Sequence, residues 1–468
     1  MPQKLIIRAP FMAVQPCEIV FDRFLLLIGE QASGKSTIAK LIYFFQSILP
    51  VDCVGFCLDK KNQNLEQNDF EYKFSNNIAH LFQETFGLDM KNVNISFEYD
   101  AKKNVNILHS EKNRLESNCN FGKDVFQKQA EILPHFFEHS RFGESTQGSE
   151  LIKGIEGLLN VKITNNLFAI AGRINTVAYS EFFEKEFYAN VKIRIDKKQL
   201  NKQYSIDDML MLGFLRRVID IKEWIKDDND LIKRANKHDE DAVDILNTYQ
   251  DQIYPIIGTD EDGWEIRERR EDIILMQGAI KKILKADYEI DNDNEFLKIN
   301  GSLLPISQTS SGQQEALRIL QDLQLIIERK WENYIRVVEE PEAHLYPLAQ
   351  KEMVDLFALM LNTNENNRLI ITTHSPYILA CVNILLFANY VANTAPETES
   401  NILQSVKKEF WLNGDMFSAY SIGHAEAYCT NIKSPTTGLI KQSYLDLISK
   451  QLGFQYQELY NLLVQKHV

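Results

Sequence analysis

The fold is decided by the stretch Gly29-Glu30-Gln31-Ala32-Ser33-Gly34-Lys35-Ser36-Thr37. It follows the apolar run Phe24–Ile28 and precedes a segment that carries apolar residues at helical spacing as far as Phe45. A buried strand, a glycine-rich turn and a helix form the context in which this pattern cradles phosphates. Glycines let backbone N–H groups approach the phosphates, and the helix N-terminus adds partial positive charge. The stretch therefore predicts a nucleoside triphosphate site.

Two side chains of this loop have predicted roles of their own. Lys35 would reach the β- and γ-phosphates, and the Ser36 hydroxyl would ligate Mg²⁺. The predicted cofactors are therefore ATP and Mg²⁺. The other residues expected to bind the nucleotide are Gly29, Glu30, Gln31, Ala32, Ser33, Gly34 and Thr37.

The bulk composition limits the function classes. The 468 residues carry 51 Lys and Arg against 65 Asp and Glu, a net charge of −14, which argues against a surface covered in nucleic-acid contacts. A local basic groove remains open. Six scattered cysteines form no C-x-x-C pair and favour free thiols in a reducing compartment. With no signal-peptide pattern and no apolar run of about 18 residues, we expect a soluble cytoplasmic protein with no membrane partner.

Two adjacent carboxylates follow a predicted strand downstream of the loop. The strand Ile335–Val338 ends in Glu339 and Glu340. Hydrolysis of a triphosphate needs one carboxylate to hold the metal and another to orient or deprotonate the attacking water. We assign Glu339 to the metal and Glu340 to catalysis. The alternative, that Glu-Glu-Pro merely begins a loop, is less favoured beside a phosphate-binding loop.

Two further stretches are candidates for the same site. His374 directly follows the predicted strand Leu369–Thr372, where it either has a structural role or lies beside the γ-phosphate and distinguishes triphosphate from diphosphate. We assign it to catalysis. A second stretch, Ser310-Ser311-Gly312-Gln313, begins a predicted helix. By itself it is a weak signal, because Ser and Gly are ordinary helix N-cap residues.

Local patterns predict most of the remaining elements. Asn, Gln and Lys dominate residues 59–77, where we assign no element, and residues 175–286 are predicted to be mostly helical and charged. The predicted strands are Leu5–Ile7, Glu18–Phe21, the hairpin Val93–Tyr99 with Asn104–Leu108, Leu167–Ile170, Asp287–Ile290, Phe296–Ile299 and the hairpin Phe417–Ile422 with Ala425–Thr430. Further helices are predicted over 123–158, up to Lys330, over Leu348–Leu361, after Pro376, and over Tyr444–Leu452 and Tyr456–Val464.

The order of these stretches resembles that of ABC-type ATPases. Gly29–Thr37, Thr309–Glu315, Glu339–Pro347 and Thr373–Pro376 look like the Walker A, signature, Walker B with D-loop, and switch-histidine motifs. The sequences of Ser310–Glu315 and Glu339–Pro347, with Ala171-Gly172-Arg173, are similar to those of the OLD/RecF-like branch of AAA-family ATPases. Such ATPases occur in bacterial antiphage systems such as PARIS and Septu, each paired with a separate nuclease.

The resemblance implies an α/β fold, namely a P-loop ABC-type ATPase head with a mostly parallel core sheet, an antiparallel β lobe and a helical insertion. It implies a homodimer of heads, possibly a higher oligomer, in which Ser310, Ser311, Gly312 and Gln313 bind the nucleotide of the other copy. The expected function is an antiviral sensor ATPase that controls an effector nuclease, such as a Toprim or HNH protein, with a phage protein or DNA as the trigger.

Some features depart from the family pattern or leave alternatives open. Glu339 stands where transporters carry Asp, and no Q-loop glutamine is assigned. Residues 391–468 are too few for a Toprim domain with its connection, so we expect the nuclease on another chain. A RecF/SMC-like DNA-repair ATPase is the alternative, although the acidic residues 201–300 make an unlikely DNA clamp; a transporter subunit fits less well. The expected divisions are 1–175 (N-terminal lobe), 176–286 (helical insertion), 287–390 (C-terminal lobe) and 391–468 (tail).

Overall fold

The computed structural model describes most of the predicted ATPase head. The described residues are 2–48, 67–87, 92–109, 115–120, 166–170, 256–259, 265–267, 270–291, 294–328, 330, 335–424 and 427–441. The predictions for 123–158, for Ala171-Gly172-Arg173, for 175–255 and for the two helices after residue 442 lie outside them.

The described residues form sixteen strands and seven α-helices. The strands are β1 (Gln3–Ile7), β2 (Cys17–Phe21), β3 (Phe24–Gly29), β4 (Asn94–Glu98), β5 (Asn104–His109), β6 (Leu115–Asn120), β7 (Asn166–Ile170), β8 (Ile256–Thr259), β9 (Glu265–Arg267), β10 (Asp287–Asp291), β11 (Asn294–Ile299), β12 (Ser302–Pro305), β13 (Ile335–Glu339), β14 (Arg368–Thr373), β15 (Phe417–Ile422) and β16 (Cys429–Asn431). The helices are α1 (Lys35–Ser47), α2 (Gln67–Phe86), α3 (Glu271–Leu284), α4 (Ser311–Glu328), α5 (Pro347–Thr363), α6 (Pro376–Thr394) and α7 (Glu399–Ser405).

A six-stranded sheet forms the centre of the molecule. Its order is β16-β15-β3-β14-β13-β7, and every neighbouring pair is parallel except β15 with β16. Both faces of the sheet are covered, which explains why its strands read as continuous apolar runs rather than alternating ones. In β3, Leu25 and Leu27 enter one apolar cluster and Leu26 enters the other. The prediction of an α/β fold with a mostly parallel core sheet is confirmed.

A second sheet is antiparallel, with the order β2-β1-β4-β5-β6. It contains the predicted hairpin of β4 and β5. Its aromatic residues pack on α1, where the rings of Phe45 and Phe97 stack with centroids 5.1 Å apart. The predicted antiparallel β lobe is therefore present.

Helix α2 covers part of the polar segment 59–77, for which no element was predicted. The prediction for this segment was therefore incomplete. Phe74, Ile78 and Phe82 recur every four residues and are buried, so the apolar stripe is real but narrow. The surrounding Asn, Gln and Lys residues lower the average hydropathy and conceal it. The hairpin of β8 and β9 was likewise missed inside a region predicted to be mostly helical.

The other face of the core sheet is covered by helices. Helix α3, which was predicted from its apolar stripe, packs on α4 and α5. Two buried ion pairs join α4 to neighbouring strands, Arg318 with Glu295 of β11 and Asp322 with Arg336 of β13. Because α3 shares a core with α4 and α5, it packs with the lobe that follows it; the division at residue 286 stays a prediction.

The hairpin predicted in the tail is present, but its place in the fold was not predicted. Strand β15 pairs in parallel with β3, so that Ile422 lies opposite Gly29 at the start of the phosphate-binding loop. Residues assigned to a tail therefore complete the core sheet.

Helix α6 is, among the described residues, the one helix long and apolar enough to span a membrane by length and composition. One face, which includes Ile378, Leu379 and Val382, is buried in the core. The opposite face leaves Tyr377, Ile384 and Phe387 half exposed. Core helices meet the same test of length and composition, and the expected absence of a membrane partner stays a prediction.

Candidate functional site

The phosphate-binding loop connects β3 to α1 as predicted. Gly34 precedes the helix with φ 95°. A Cβ atom on Gly34 would lie 2.5 Å from the Tyr428 hydroxyl, and one on Gly29 would lie 2.1 Å from the carbonyl oxygen of Ile422. Both glycines are thus required by the hairpin of β15 and β16, in addition to any approach to phosphate. The sequence pattern indicated only the approach to phosphate.

Lys35 is buried at the first position of α1. Its Nζ donates hydrogen bonds to the carbonyl oxygens of Gly29 at 2.8 Å and Glu30 at 2.7 Å. Burial lowers the pKa of Lys35, and the nearby carboxylates of Glu340, Glu342 and Glu339 partly oppose this effect. The ammonium group is therefore held inside the loop and within electrostatic range of the carboxylates at the end of β13.

The two carboxylates that end β13 have different surroundings. Glu339 is the last residue of the strand, lies opposite Thr372 of β14 and is buried. Glu340 turns out of the strand with φ 49°, and its N–H donates to the carbonyl oxygen of Thr372 at 2.8 Å. The Glu340 side chain is 42% exposed. One carboxylate is thus fixed inside the protein while its neighbour reaches solvent, which fits the different roles assigned to them.

His374 joins the carboxylates at the end of the adjacent strand. Its Nδ1 lies 3.5 Å from Oε1 of Glu340 and 3.4 Å from Oε1 of Glu342. The buried Glu342 accepts hydrogen bonds from the Thr373 hydroxyl at 2.7 Å and from the His374 N–H at 2.9 Å. Glu342 therefore sets the position of His374. Sequence reasoning missed this residue, although a third carboxylate in Glu-Pro-Glu was the available signal.

The residue after His374 begins α6. Ser375 accepts hydrogen bonds from the N–H groups of Tyr377 and Ile378, and its hydroxyl donates to Gln350 of α5 at 2.7 Å. Pro376 occupies the first turn, where its missing N–H costs no helical hydrogen bond. The backbone on both sides of His374 is therefore fixed, while the imidazole is 46% exposed.

The stretch resembling a signature motif begins α4 with a capping box. The Ser310 hydroxyl accepts from the Gln313 N–H at 3.3 Å, and the Gln313 side chain accepts from the Ser310 N–H at 3.0 Å. Gln313 also donates to the carbonyl oxygen of Leu284 at 2.6 Å. A Cβ on Gly312 would lie 2.5 Å from the carbonyl oxygen of His344. These contacts connect the start of α4 to the end of α3 and to the turn after Glu340. Binding of nucleotide by Ser310, Ser311, Gly312 and Gln313 stays a prediction.

The donor set suits a magnesium ion. Ser36 is exposed in the first turn of α1, and Glu339 supplies a carboxylate at the end of β13, so both offer the oxygen ligands that Mg²⁺ prefers. Two other oxygen atoms at this edge, Oε2 of Glu342 and Oγ1 of Thr372, are buried and make no hydrogen bond to the described residues. Within that same part of the chain no cluster of three His, Cys, Asp or Glu residues could hold a metal. The residues therefore fit an ion that keeps water and phosphate ligands rather than a closed protein cage.

A family model described as "AAA ATPase domain" matches residues 5–379. The chain belongs to the AAA ATPase domain family. The matched region of this AAA ATPase domain contains the phosphate-binding loop, both carboxylates and His374, and membership implies nucleotide binding. No curated protein matches the chain.

Among solved structures, this AAA ATPase domain is similar to heads of SMC proteins at low scores. One is the SmcHead bound to the C-winged helix domain of ScpA, at 11% identity and a TM-score of 0.37, covering 81% of this chain and 90% of the other. A second is an Smc head domain with an extended coiled coil, bound to the C-terminal domain of ScpA, from Pyrococcus furiosus. Its sequence identity is 12% and its TM-score 0.34, and the match covers 81% of this chain and 92% of the other. A third is the SMC head domain from Thermotoga maritima, at 11%, 0.33, 81% and 91%. These scores are too low to indicate a function.

Proposed function

We propose that this chain binds ATP with Mg²⁺ and hydrolyses it to ADP and phosphate at the shared edge of β3, β14 and β13. The observation that carries the proposal is the position of Lys35 within electrostatic range of three carboxylates, one of which, Glu340, lies 3.5 Å from Nδ1 of His374. A cation suited to phosphate and a solvent-reaching carboxylate suited to water thus lie at the same edge of the sheet.

Each residue has one proposed role. Lys35 exchanges its bonds to the loop carbonyls for the β- and γ-phosphates. Ser36 and Glu339 hold Mg²⁺, which neutralises phosphate charge when bound. Glu340 accepts a proton from the attacking water at a carboxylate oxygen. His374 orients Glu340 and contacts the γ-phosphate.

Lys35→Ala tests the binding site. It removes a charge-assisted phosphate contact worth about 1.5–3 kcal/mol, so ATP affinity measured by calorimetry should fall at least about tenfold. Lys40→Ala, further along the same helix, is the matched control and should bind ATP as the wild type does. Thermal melts establish that both variants are folded. Unchanged ATP affinity in folded Lys35→Ala would contradict the proposal.

We further propose that two copies close on ATP, with Ser310–Gln313 of each completing the site of the other. The motif order and the exposed position of Ser310 at a helix N-terminus support this. Gly312 cannot be used to test it, because any side chain there meets the His344 carbonyl of the same chain. Ser310→Asp is suitable, because Asp preserves the N-cap while adding a charge, and Ser310→Asn is its neutral control.

Mixing Ser310→Asp with Lys35→Ala should restore activity that neither homodimer has. In the heterodimer, one composite site carries both lesions and the other carries none, so about half the wild-type rate per dimer is expected. The added carboxylate acts because like charges about 4 Å apart cost several kcal/mol at an effective dielectric constant near 20. Differently tagged chains verify subunit exchange. No recovery in proven heterodimers contradicts the shared site.

The wider role that we propose is a sensor ATPase of an antiviral defence system that controls a separate nuclease. It is supported by the likeness of the motif text to OLD/RecF-like ATPases. Co-expression with a Toprim or HNH nuclease encoded by a neighbouring gene should give a complex. Its nuclease activity should respond to ATP with the wild-type chain but not with Lys35→Ala. If DNA instead stimulates ATP turnover and no nuclease associates, the RecF/SMC-like repair alternative replaces this role.

A further inference from the structure

A cavity of about 460 Å³ lies between α3, α4 and the start of β10. Both helices line it with residues at positions i, i+3, i+4 and i+7, so that each presents one stripe to the cavity. The stripes are Gln277, Ile280, Lys281 and Leu284 on α3, and Leu317, Leu320, Gln321 and Gln324 on α4. The volume falls within the range of about 300–1,000 Å³ that sites for small molecules occupy.

The walls of this cavity are largely apolar and carry no net charge. The leucines of both stripes are buried, and Ile280 is partly exposed. Of the described residues that line the cavity, only Lys281 and Asp287 are charged; both are exposed, and they pair with each other at 3.1 Å. A charged ligand would lose hydration without finding an unpaired counter-ion. The cavity therefore favours a neutral molecule with an apolar body.

One buried polar atom interrupts the apolar wall. Gln321 is 5% exposed, and its Nε2 atom is buried without a hydrogen bond to any described residue. Its Oε1 atom accepts from Arg318 at 2.9 Å, and Arg318 in turn donates to Glu295 at 2.5 and 2.6 Å. Because a guanidinium can only donate, the amide cannot exchange its oxygen and nitrogen without losing this bond. Nε2 of Gln321 is therefore a fixed donor that lacks an acceptor in the described part of the chain.

The Tyr288 hydroxyl, which lies nearby, does not supply that acceptor. It donates to Oε1 of Glu295 at 2.5 Å. Burial raises the pKa of Tyr288 well above its ordinary value, so the hydroxyl stays neutral. The Gln321 amide is close enough to oppose this rise in pKa, but Nε2 is not in hydrogen-bonding geometry. Because a buried donor without a partner is costly, an acceptor oxygen that entered the cavity would be stabilised there.

We propose that this cavity binds an uncharged small molecule with an apolar body and a carbonyl oxygen. The carbonyl oxygen accepts a hydrogen bond from Nε2 of Gln321. The apolar body lies against the leucines of the two stripes and Ile280. Binding is favourable for two reasons, because it removes the apolar walls from water and because it gives the buried donor its partner.

The cavity adjoins the stretch that is proposed to complete the nucleotide site of another copy. Leu284 lines the cavity, and its carbonyl oxygen accepts from Nε2 of Gln313 at 2.6 Å. Gln313 forms the capping box with Ser310. A molecule held between α3 and α4 fixes the separation of these helices and thereby the position of Gln313. This consequence rests on the proposed function, whereas binding in the cavity does not.

A ligand-observed NMR titration of the full chain with three compounds of one skeleton tests the site. 1-Indanone has an apolar body and a carbonyl, indane lacks the carbonyl, and indane-1-carboxylate is charged. We expect 1-indanone to bind with a dissociation constant of about 1 mM or below, which suits a ligand of about ten non-hydrogen atoms. Indane should bind about fivefold more weakly, the equivalent of one hydrogen bond, and the carboxylate about tenfold more weakly or worse. No binding of 1-indanone, or tightest binding of the carboxylate, overturns the proposal.

Substitutions on α3 and α4 locate the binding. Ile280→Trp fills the cavity and should abolish binding of 1-indanone and indane alike. Ile274→Trp, at an exposed position of the same helix that does not line the cavity, is the matched control and should leave both unchanged. Gln321→Met removes the donor and should abolish the preference for 1-indanone over indane. Thermal melts establish which variants are folded; if Gln321→Met is not, the two tryptophan variants decide the site. Binding that survives Ile280→Trp overturns the proposal.

ATP turnover measured with and without 1-indanone tests the consequence. At saturating 1-indanone the turnover of the wild type should rise or fall by about fivefold or more, the low end of common couplings between two sites. The turnover of Ile280→Trp should not respond. Proven binding with unchanged turnover overturns the coupling to Gln313. If the free protein hydrolyses no ATP, the proposed function fails, while the titration still decides the cavity.

Discussion

The two halves of the candidate site are held in different ways. The phosphate-binding loop depends on close approaches that leave no room for a Cβ atom, of Gly29 to the Ile422 carbonyl and of Gly34 to the Tyr428 hydroxyl. The carboxylate half depends on side-chain hydrogen bonds, above all those that Glu342 accepts from Thr373 and His374. The first half should therefore fail on addition of a single methyl group. The second should lose function in steps that a conservative substitution can reverse.

The largest effect is expected for Gly34→Ala. The new methyl group would meet the Tyr428 hydroxyl at 2.5 Å, and the alanine backbone would have to adopt φ 95°. Gly87→Ala is the matched control, since Gly87 has φ 108° but no neighbouring atom within 4 Å. Both variants pay the left-handed backbone penalty of about 1–2 kcal/mol. Only Gly34→Ala should also lose ATP binding, measured by calorimetry.

The comparison fails if the two alanine variants behave alike. Equal losses of thermal stability with ATP binding intact in both would mean that the loop tolerates the methyl group. The contact with Tyr428 would then be unimportant for the shape of the loop.

A smaller effect is expected on the carboxylate half. Thr373→Val removes the hydroxyl that donates to Glu342 at 2.7 Å and accepts from the Ser375 N–H at 2.9 Å. Leaving these buried groups unpaired should cost about 1–3 kcal/mol of unfolding free energy, measured with denaturant. ATP turnover should fall more than ATP affinity, because His374 loses its support. Thr373→Ser keeps the hydroxyl and should recover most of both; a serine variant as impaired as the valine one would contradict the hydrogen-bond account.

Much of the core was predictable because its signals are local. Strands β3, β13 and β14 are short apolar runs that end in polar motifs, and parallel strands deliver those motifs to one edge of the sheet. The position of β15 beside β3 was not predictable, because the local sequence of a strand does not determine which distant strand it pairs with. Helix α2 was missed because its apolar stripe is diluted by polar residues.

Within the site, sequence reasoning identified residue types better than it identified contacts. Glu340 and His374 were singled out and lie 3.5 Å apart. The support from Glu342 was missed because it depends on a turn that carries the chain from Glu340 back towards β14. The close approach of Gly312 to the His344 carbonyl was missed because this contact joins two elements that are distant in the sequence.

The most direct test of the central claim is a paired measurement of ATP affinity and ATP turnover on Glu340→Gln. The amide keeps the size of the side chain and can accept a hydrogen bond, but it cannot take a proton from water. We predict ATP affinity within about twofold of the wild type, and turnover lower by about a hundredfold or more, the usual contribution of a general base. Wild-type turnover in Glu340→Gln would contradict the assignment of this carboxylate as the base.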